Sequence, residues 1–372
     1  MIRIRNKILK KFIDGWKLEI MKKFVLLGAV AATGMLSPLS YAVNGVLTSI
    51  PIDQPVSIDG KADSIWAKAS PVIVKLNELP YKPDNGYEGM EETEVEMRSV
   101  YDDENVYFLL RWDDPTHSLE RFPWVKQKDG SWKRSLNKDH TKHENTYYED
   151  KLSLFWNISS KGFKKKGCDK SCHMPEDDGL LEGVKDTSAG RHYTSNAGET
   201  VDMWHWKAAR TNPNNQMDDQ YVDHARSESA EWGRHSDDKS GGGYYYNLEE
   251  GRDTPVWMNK QASVENTYWV RESDKVPFTD AGFKPGDIIG GHVTGPIEGA
   301  RADISATGIW HKDGYWTLEL KRKLVTKHDN SNTQDVQFGD LSKPYYFGVA
   351  VFDNSQINHI QHTKSYKMVF KQ

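Results

Sequence analysis

A mainly β fold, built as a sandwich, is predicted by three observations. Hydrophobic residues make up only 37% of the chain, yet it holds 13 tryptophans, 17 tyrosines and 12 phenylalanines. Many aromatics with few aliphatics suit pleated, half-buried surfaces and long polar loops better than a helical bundle. Several short runs have strand character, and clusters of turn-forming residues separate them.

The runs follow in order. Val95 to Val100 and Val106-Tyr-Phe-Leu-Leu-Arg-Trp112 flank Tyr101-Asp-Asp-Glu-Asn105 and read as a hairpin. Lys151-Leu-Ser-Leu-Phe-Trp156 is another strand. Gly308-Ile-Trp310 and Tyr315 to Lys321 flank His311-Lys-Asp-Gly314. In the second of these, Trp316, Leu318 and Leu320 alternate with Thr317, Glu319 and Lys321, the period of a half-buried strand. Tyr346-Phe-Gly-Val-Ala-Val-Phe352 is nearly all apolar and reads as a central strand, and Ser365 to Phe370 supplies a last one. The expected architecture is an immunoglobulin-like or jelly-roll-type β-sandwich. Residues 160–300, rich in Gly, Asp, Asn, Lys and His, read as one long loop-rich, partly helical insertion within a single domain over 43–372. Asp237 to Lys239 and Ser240 to Tyr246 look like exposed loop there, whereas Val201 to Arg210 looks ordered.

The N-terminus reads as a targeting segment. Met21-Lys-Lys is a basic start, Phe24 to Leu36 a short apolar run, and Ser40-Tyr-Ala42 places small residues for cleavage after Ala42. Residues 1–20 look like an upstream extension, with Met21 as an alternative start. The apolar run is too short to span a bilayer comfortably, and no later run is long enough. An exported protein, periplasmic in a bacterium, is expected. A formal net charge of −5 argues against nucleic-acid binding.

The chain has two cysteines, both in Cys168-Asp-Lys-Ser-Cys172-His173. This is one residue longer than the Cys-x-x-Cys-His that attaches c-type haem. In such a motif each thiol closes on a haem vinyl group and the histidine ligates the iron. One covalent haem c is therefore expected, with Cys168 and Cys172 as anchors and His173 as proximal ligand. A Cys168–Cys172 disulfide is the main alternative in an exported protein. A structural zinc is weaker, because no second cysteine pair exists. Met174 lies too close to His173 to reach the opposite face of the iron.

Longer segments carry a resemblance. Ile58 to Trp66 looks like the opening strand of family-9-type carbohydrate-binding modules and related haem-binding sandwiches. Val106 to Thr116, Asp202 to Arg210, Leu318 to Leu324 and Phe347 to Asp353 together resemble the ethylbenzene dehydrogenase-related, dimethyl-sulfoxide-reductase-like haem-binding family. That resemblance implies a β-sandwich with haem at one end, usually a b-type haem held by methionine and lysine in an electron-transfer subunit of a periplasmic molybdenum enzyme. This chain departs from it by placing Cys168, Cys172 and His173 where those relatives carry the methionine.

The resemblance also directs attention to His359-Ile-Gln-His362-Thr-Lys364-Ser365 for the opposite ligand. His362 is favoured, then His359 and Lys364, with His205 as a further candidate whose plainer role is an interior histidine in a tryptophan-rich layer. Trp204 and Trp206 are expected to pack near the haem and Arg210 to pair with a propionate. Lys164-Lys-Lys166 reads as a docking patch for an acidic redox partner or as plain solvated loop. Asp113-Asp114 and Asp218-Asp219 lack the spacing of a calcium loop and read as turn residues. No acid–base pair or nucleophile constellation supports catalysis. The leading expectation is electron transfer, as haem subunit or soluble partner of a respiratory oxidoreductase; a molybdenum enzyme or a multihaem cytochrome fits as partner. A carbohydrate-binding sandwich with a disulfide and no haem is the alternative.

Overall fold

Among the described residues, thirteen strands share one sheet. They are Val46–Pro51 (β1), Val72–Leu76 (β2), Thr93–Tyr101 (β3), Asn105–Asp113 (β4), Lys151–Asn157 (β5), Val201–Lys207 (β6) and Gln216–Val222 (β7). Arg234–Ser236 (β8), Ile304–His311 (β9), Tyr315–Lys323 (β10), Tyr345–Phe352 (β11), Ile360–Gln361 (β12) and Tyr366–Phe370 (β13) complete it. The structure is a computed structural model and describes residues 45–80, 86–138, 144–167, 193–225, 233–260 and 268–372.

The strand order is β1-β13-β11-β5-β6-β7-β9-β10-β4-β3-β2, with β8 beside β7 and β12 beside β11. The order folds back on itself as two layers. β13, β11, β5, β6 and β7 form one; β9, β10, β4, β3 and β2 form the other. β1 joins them along one edge: Val46 to Ser49 run parallel to Lys367 to Phe370, and Ser49 to Pro51 run parallel to Ser99 to Tyr101. A two-residue pairing, Met217 with Ile304 and Gln216 with Ser305, joins them along the other. Joined edges leave few unpaired backbone groups to recruit another chain.

Alternation places the core between the layers. Phe108, Leu110 and Trp112 on β4 and Trp316, Leu318 and Leu320 on β10 face Leu152, Leu154 and Trp156 on β5 and Trp204 and Trp206 on β6. Trp204 meets Phe108 edge-on at 5.8 Å, and Trp206 meets Trp316 at 4.9 Å. Gly308 makes room for the Trp206 indole, since a Cβ there would stand 2.4 Å from Trp206 Cζ2.

The mainly β sandwich expected from the sequence is what forms, and the hairpin 95–112 and the strands near 151, 315, 346 and 366 fall where the alternation put them. Two local expectations change. Ile58 to Trp66 is not the opening strand: β1 opens the sheet, and Ser64–Lys68 is a 3-10 turn. Glu319 pins that turn by accepting hydrogen bonds from the Asp59 and Gly60 amides and from Trp66 Nε1. Within 160–300, β6 and β7 are interior strands of the main sheet. Gly241–Tyr246, Val270–Arg271 and His292–Glu298 form a small sheet of their own. Gly241 to Tyr246 is thus strand rather than loop, with Ser240 an exposed bend before it. Helix in the described part of this stretch is limited to one α-turn, Phe163–Lys166, and short 3-10 turns.

Candidate functional site

Cys168, Cys172 and His173 lie outside the described residues, as do residues 1–44 with Ala42. The residue that leads into the motif is described. Phe163–Lys166 makes one helical turn that ends at Gly167, whose φ of 54° and ψ of −132° suit glycine alone. A Cβ on Gly167 would stand 2.9 Å from the Ser365 nitrogen and 3.0 Å from the Lys364 carbonyl carbon. Ser365 Oγ donates to the Lys164 carbonyl at 2.7 Å. The chain therefore enters the cysteine motif in contact with the segment 359–365.

Phe163 anchors this turn on the outer face of the β11-β5-β6 layer, packed with Phe155, Val201, Met203 and Tyr346. His205 is on the same face of β6, two residues beyond Met203, which sets it roughly 7 Å further along the strand. Its ring stacks on Phe352 at 5.6 Å, and His359 packs on that same phenyl ring at 4.6 Å. Lys151 Nζ sits 4.0 Å from the Phe352 ring centre. One outward face thus gathers His205, Phe352, His359 and Lys151 beside the turn that introduces the motif.

His205 has the wiring of a metal-ligand histidine. Its Nδ1 lies 3.3 Å from Gln220 Oε1, which as an acceptor fixes the proton on Nδ1. Its Nε2 is buried and has no hydrogen-bond partner among the described residues. Burial first, and the charge of Lys207 second, hold the imidazole well below its ordinary pKa and keep it neutral. A buried neutral nitrogen with a free lone pair is costly unless something binds it.

The favoured His362 is arranged differently. Its Nε2 accepts the Val349 amide at 2.9 Å, and its Nδ1 donates to the Lys364 carbonyl. Both ring nitrogens are committed to the backbone, and burial pushes the imidazole down to about 4. In this arrangement the ring clamps a turn, with both nitrogens engaged by backbone. His359 Nδ1 lies 2.8 Å from the Ile357 carbonyl oxygen. Lys364 is exposed, and no described residue pairs with its ammonium group.

Trp204 and Trp206 are fully buried between the layers, walled by protein rings rather than facing the outer surface. Arg210 is committed to Glu149, which binds its Nε and accepts the Ala209 and Arg210 amides at 2.7 and 3.0 Å. Its guanidinium is therefore occupied by a buried carboxylate, not left open for a propionate.

Three charged clusters escaped sequence reading. Asp218 and Asp219, read as turn residues, are buried on β7. Asp218 binds Lys207 and, through Oδ1, Arg301 Nε at 2.8 Å. Asp219, Asp202 and Asp335 surround Arg322, which is fully buried, at 3.4, 3.5 and 3.2 Å. Asp114 is also buried, and with Asp150 and Asp353 it forms a cluster whose carboxylate atoms lie within 4.8 Å of one another. Burial, then the charge of Asp353, pushes Asp114 up to about 7. The one available signal was Arg322, which continues the inward alternation of Trp316, Leu318 and Leu320.

The chain resembles known proteins in two ways. It is similar to a carbohydrate binding module family 9 from Caldicellulosiruptor kristjanssonii solved with glucose, at 12% identity, 88% coverage of this chain, 95% of the other and a TM-score of 0.30. A putative carbohydrate-binding protein from Bacteroides uniformis is similar at 9% identity, with 80% and 77% covered and a TM-score of 0.27. No curated protein sequence matches. The sequence profile described as ethylbenzene dehydrogenase, an oxidoreductase-related family, matches residues 63–364. That span takes in both layers of the sandwich and the segments around Gly167, His205 and His362, so this chain belongs to the ethylbenzene dehydrogenase family.

Proposed function

We propose that the chain is an exported monohaem c-type cytochrome that passes single electrons as a subunit or partner of an oxidoreductase. The observation that carries this reading is His205 Nε2, buried and without a hydrogen-bond partner among the described residues, on the outer face where Phe163 anchors the turn that ends at Gly167. Cys168 and Cys172 are the proposed anchors and His173 the proximal ligand, with His205 in place of His362 on the opposite side. A bound haem would supply a one-electron couple at its iron. Gln220 fixes the tautomer of His205, Phe352 holds its ring plane, and burial keeps water and protons from its nitrogen. Two nitrogen ligands set a lower potential than methionine ligation would.

The surroundings of the motif suit docking. Lys161, Lys164, Lys165, Lys166 and Lys364 are all exposed near its entry. Such a cluster steers an acidic partner toward the site. Membership of an oxidoreductase-related family supports a redox protein as that partner; a molybdenum enzyme or a multihaem cytochrome fits this role.

The test is a pyridine haemochrome spectrum of purified protein after acid-acetone extraction. Haem that stays with the protein supports the reading; a colourless protein with Cys168 bonded to Cys172 overturns it. His205→Ala is expected to convert the spectrum to high spin, while His362→Ala keeps it low spin at reduced stability. The reverse pattern would return the ligand role to His362.

A further inference from the structure

We infer a second, haem-independent metal site, specific for a divalent cation of the zinc or manganese type, at Asp237, His328 and Asp335 with Asp303 at its rim. The four residues come from three segments: Asp237 from the chain after β8, Asp303 from just before β9, and His328 and Asp335 from the connection between β10 and β11. The ligand atoms of Asp237, His328 and Asp335 lie within 4.8 Å of one another. His328 Nε2 is 2.7 Å from Asp335 Oδ2 and 3.9 Å from both Asp237 Oδ2 and Asp303 Oδ2. Ligand atoms on an ion with ~2.1 Å bonds sit roughly 3–3.5 Å apart, so these gaps bracket what coordination requires.

The second observation is Asp237. It is 3% exposed, its Oδ2 points at the imidazole, and apart from a carboxyl–carboxyl contact with Asp335 neither oxygen has a hydrogen-bond partner among the described residues. Asp335 Oδ1 is likewise unpartnered. Buried carboxylate oxygens without donors are expensive, and a cation is the group that would satisfy them. Local charge points the same way. Asp202, Asp219, Asp237, Asp303 and Asp335 face Arg322 and His328, and Arg322 reaches only Asp202, Asp219 and Asp335. Asp237 and Asp303 have only the imidazole, which Asp335 also engages at 2.7 Å.

His328 is oriented as ligating histidines are. Its Nδ1 lies 2.8 Å from the Asp329 carbonyl oxygen, which holds the proton there and turns Nε2 toward the carboxylates. The donor set also selects the ion. One imidazole with carboxylates suits zinc or manganese, whereas calcium takes oxygen ligands throughout. An entry path exists, because His328 and Asp303 keep 18% and 30% of their side chains exposed while Asp237 and Asp335 are sealed beneath.

The competing arrangement is a plain imidazolium–carboxylate pair with a proton on Asp237. Isothermal titration of the chelator-treated full chain with zinc chloride, and separately with manganese chloride, distinguishes them. One saturable equivalent is expected, with a rise in melting temperature on loading. Asp237→Asn, which mimics the protonated acid, is expected to weaken the uptake at least tenfold, as is His328→Gln. Because His328 is on the rim, His328→Gln keeps the test decisive if the Asp237 variant folds poorly. A Cys168→Ser/Cys172→Ser double variant is expected to bind unchanged. No saturable uptake of either ion would overturn the site, and so would uptake that survives both Asp237→Asn and His328→Gln or disappears with the cysteines. Haem content plays no part in the readout, so this site and the cytochrome reading fail separately.

Discussion

Gly167→Ala is the most informative perturbation, because one methyl group tests the junction between the fold and the cysteine motif. Glycine is required there twice over. The backbone, at φ 54° and ψ −132°, is in a region that costs other residues on the order of 1–3 kcal/mol. The added Cβ would also meet backbone atoms of Ser365 and Lys364 at 2.9 and 3.0 Å, and backbone yields less readily than a side chain. A total near 3 kcal/mol follows as an order of magnitude. With an unfolding entropy of about 2.1 cal/mol/K per residue over about 330 residues, each kcal/mol lowers the melting temperature by roughly 1.5 °C, so a drop of about 4 °C is expected. Calorimetry reads that drop, and, on the proposed cytochrome function, the haem-to-protein ratio reads its consequence: covalent loading should fall as Gly167 loses its fit against Ser365. Lys166→Ala, exposed one residue earlier, is the control and should change neither. An alanine variant that melts within 1 °C of the parent would refute the strain argument. One that melts early but loads haem fully would refute the link between this junction and the motif.

Other expectations follow from the buried charges. Arg322→Ala strands Asp202, Asp219 and Asp335 without their shared cation and should cost about 3–5 kcal/mol in urea unfolding; a loss under 1 kcal/mol would contradict this. His362, held down to about 4, contributes stability that is present above its ordinary 6.5 and lost as pH falls toward 4, on the order of 3 kcal/mol. His362→Asn should flatten the acid side of a stability–pH curve, and an unchanged slope would count against the burial. Asp114, pushed up to about 7, favours its protonated form, so its contribution is fully present below 3.8 and lost as pH rises through 7. Asp114→Asn should therefore melt higher than the parent at pH 8 and equally at pH 4; equal shifts at both would refute it.

The strands were legible where one face is apolar and the next residue is not, as in Trp316 to Lys321. β5 and β11 were legible as nearly continuous apolar runs bounded by turns. β6 was legible only as an ordered stretch, and β7 was harder, since Asp218 and Asp219 read as turn residues. Asp218 and Asp219 are buried because Arg301 and Arg322 arrive from segments 83 and 103 residues away, and no local pattern announces such partners. The histidines show the same limit. His205 and His362 differ in what their ring nitrogens bind, namely Gln220 on a neighbouring strand in one case and the Val349 and Lys364 backbone in the other. Sequence distinguishes a histidine from other residues, but not a free lone pair from a committed one.

The parallel pairing of Val46 to Ser49 with Lys367 to Phe370 has a consequence for how the chain assembles. Its partners are separated by several hundred residues, so this pairing closes a very long loop, and such closure is slow. The first strand acts as a latch between the two layers, opposite the short β7–β9 contact. A chain shortened by Lys367 to Phe370 would lose the latch on the β13 side, while Ser49 to Pro51 could still pair with Ser99 to Tyr101.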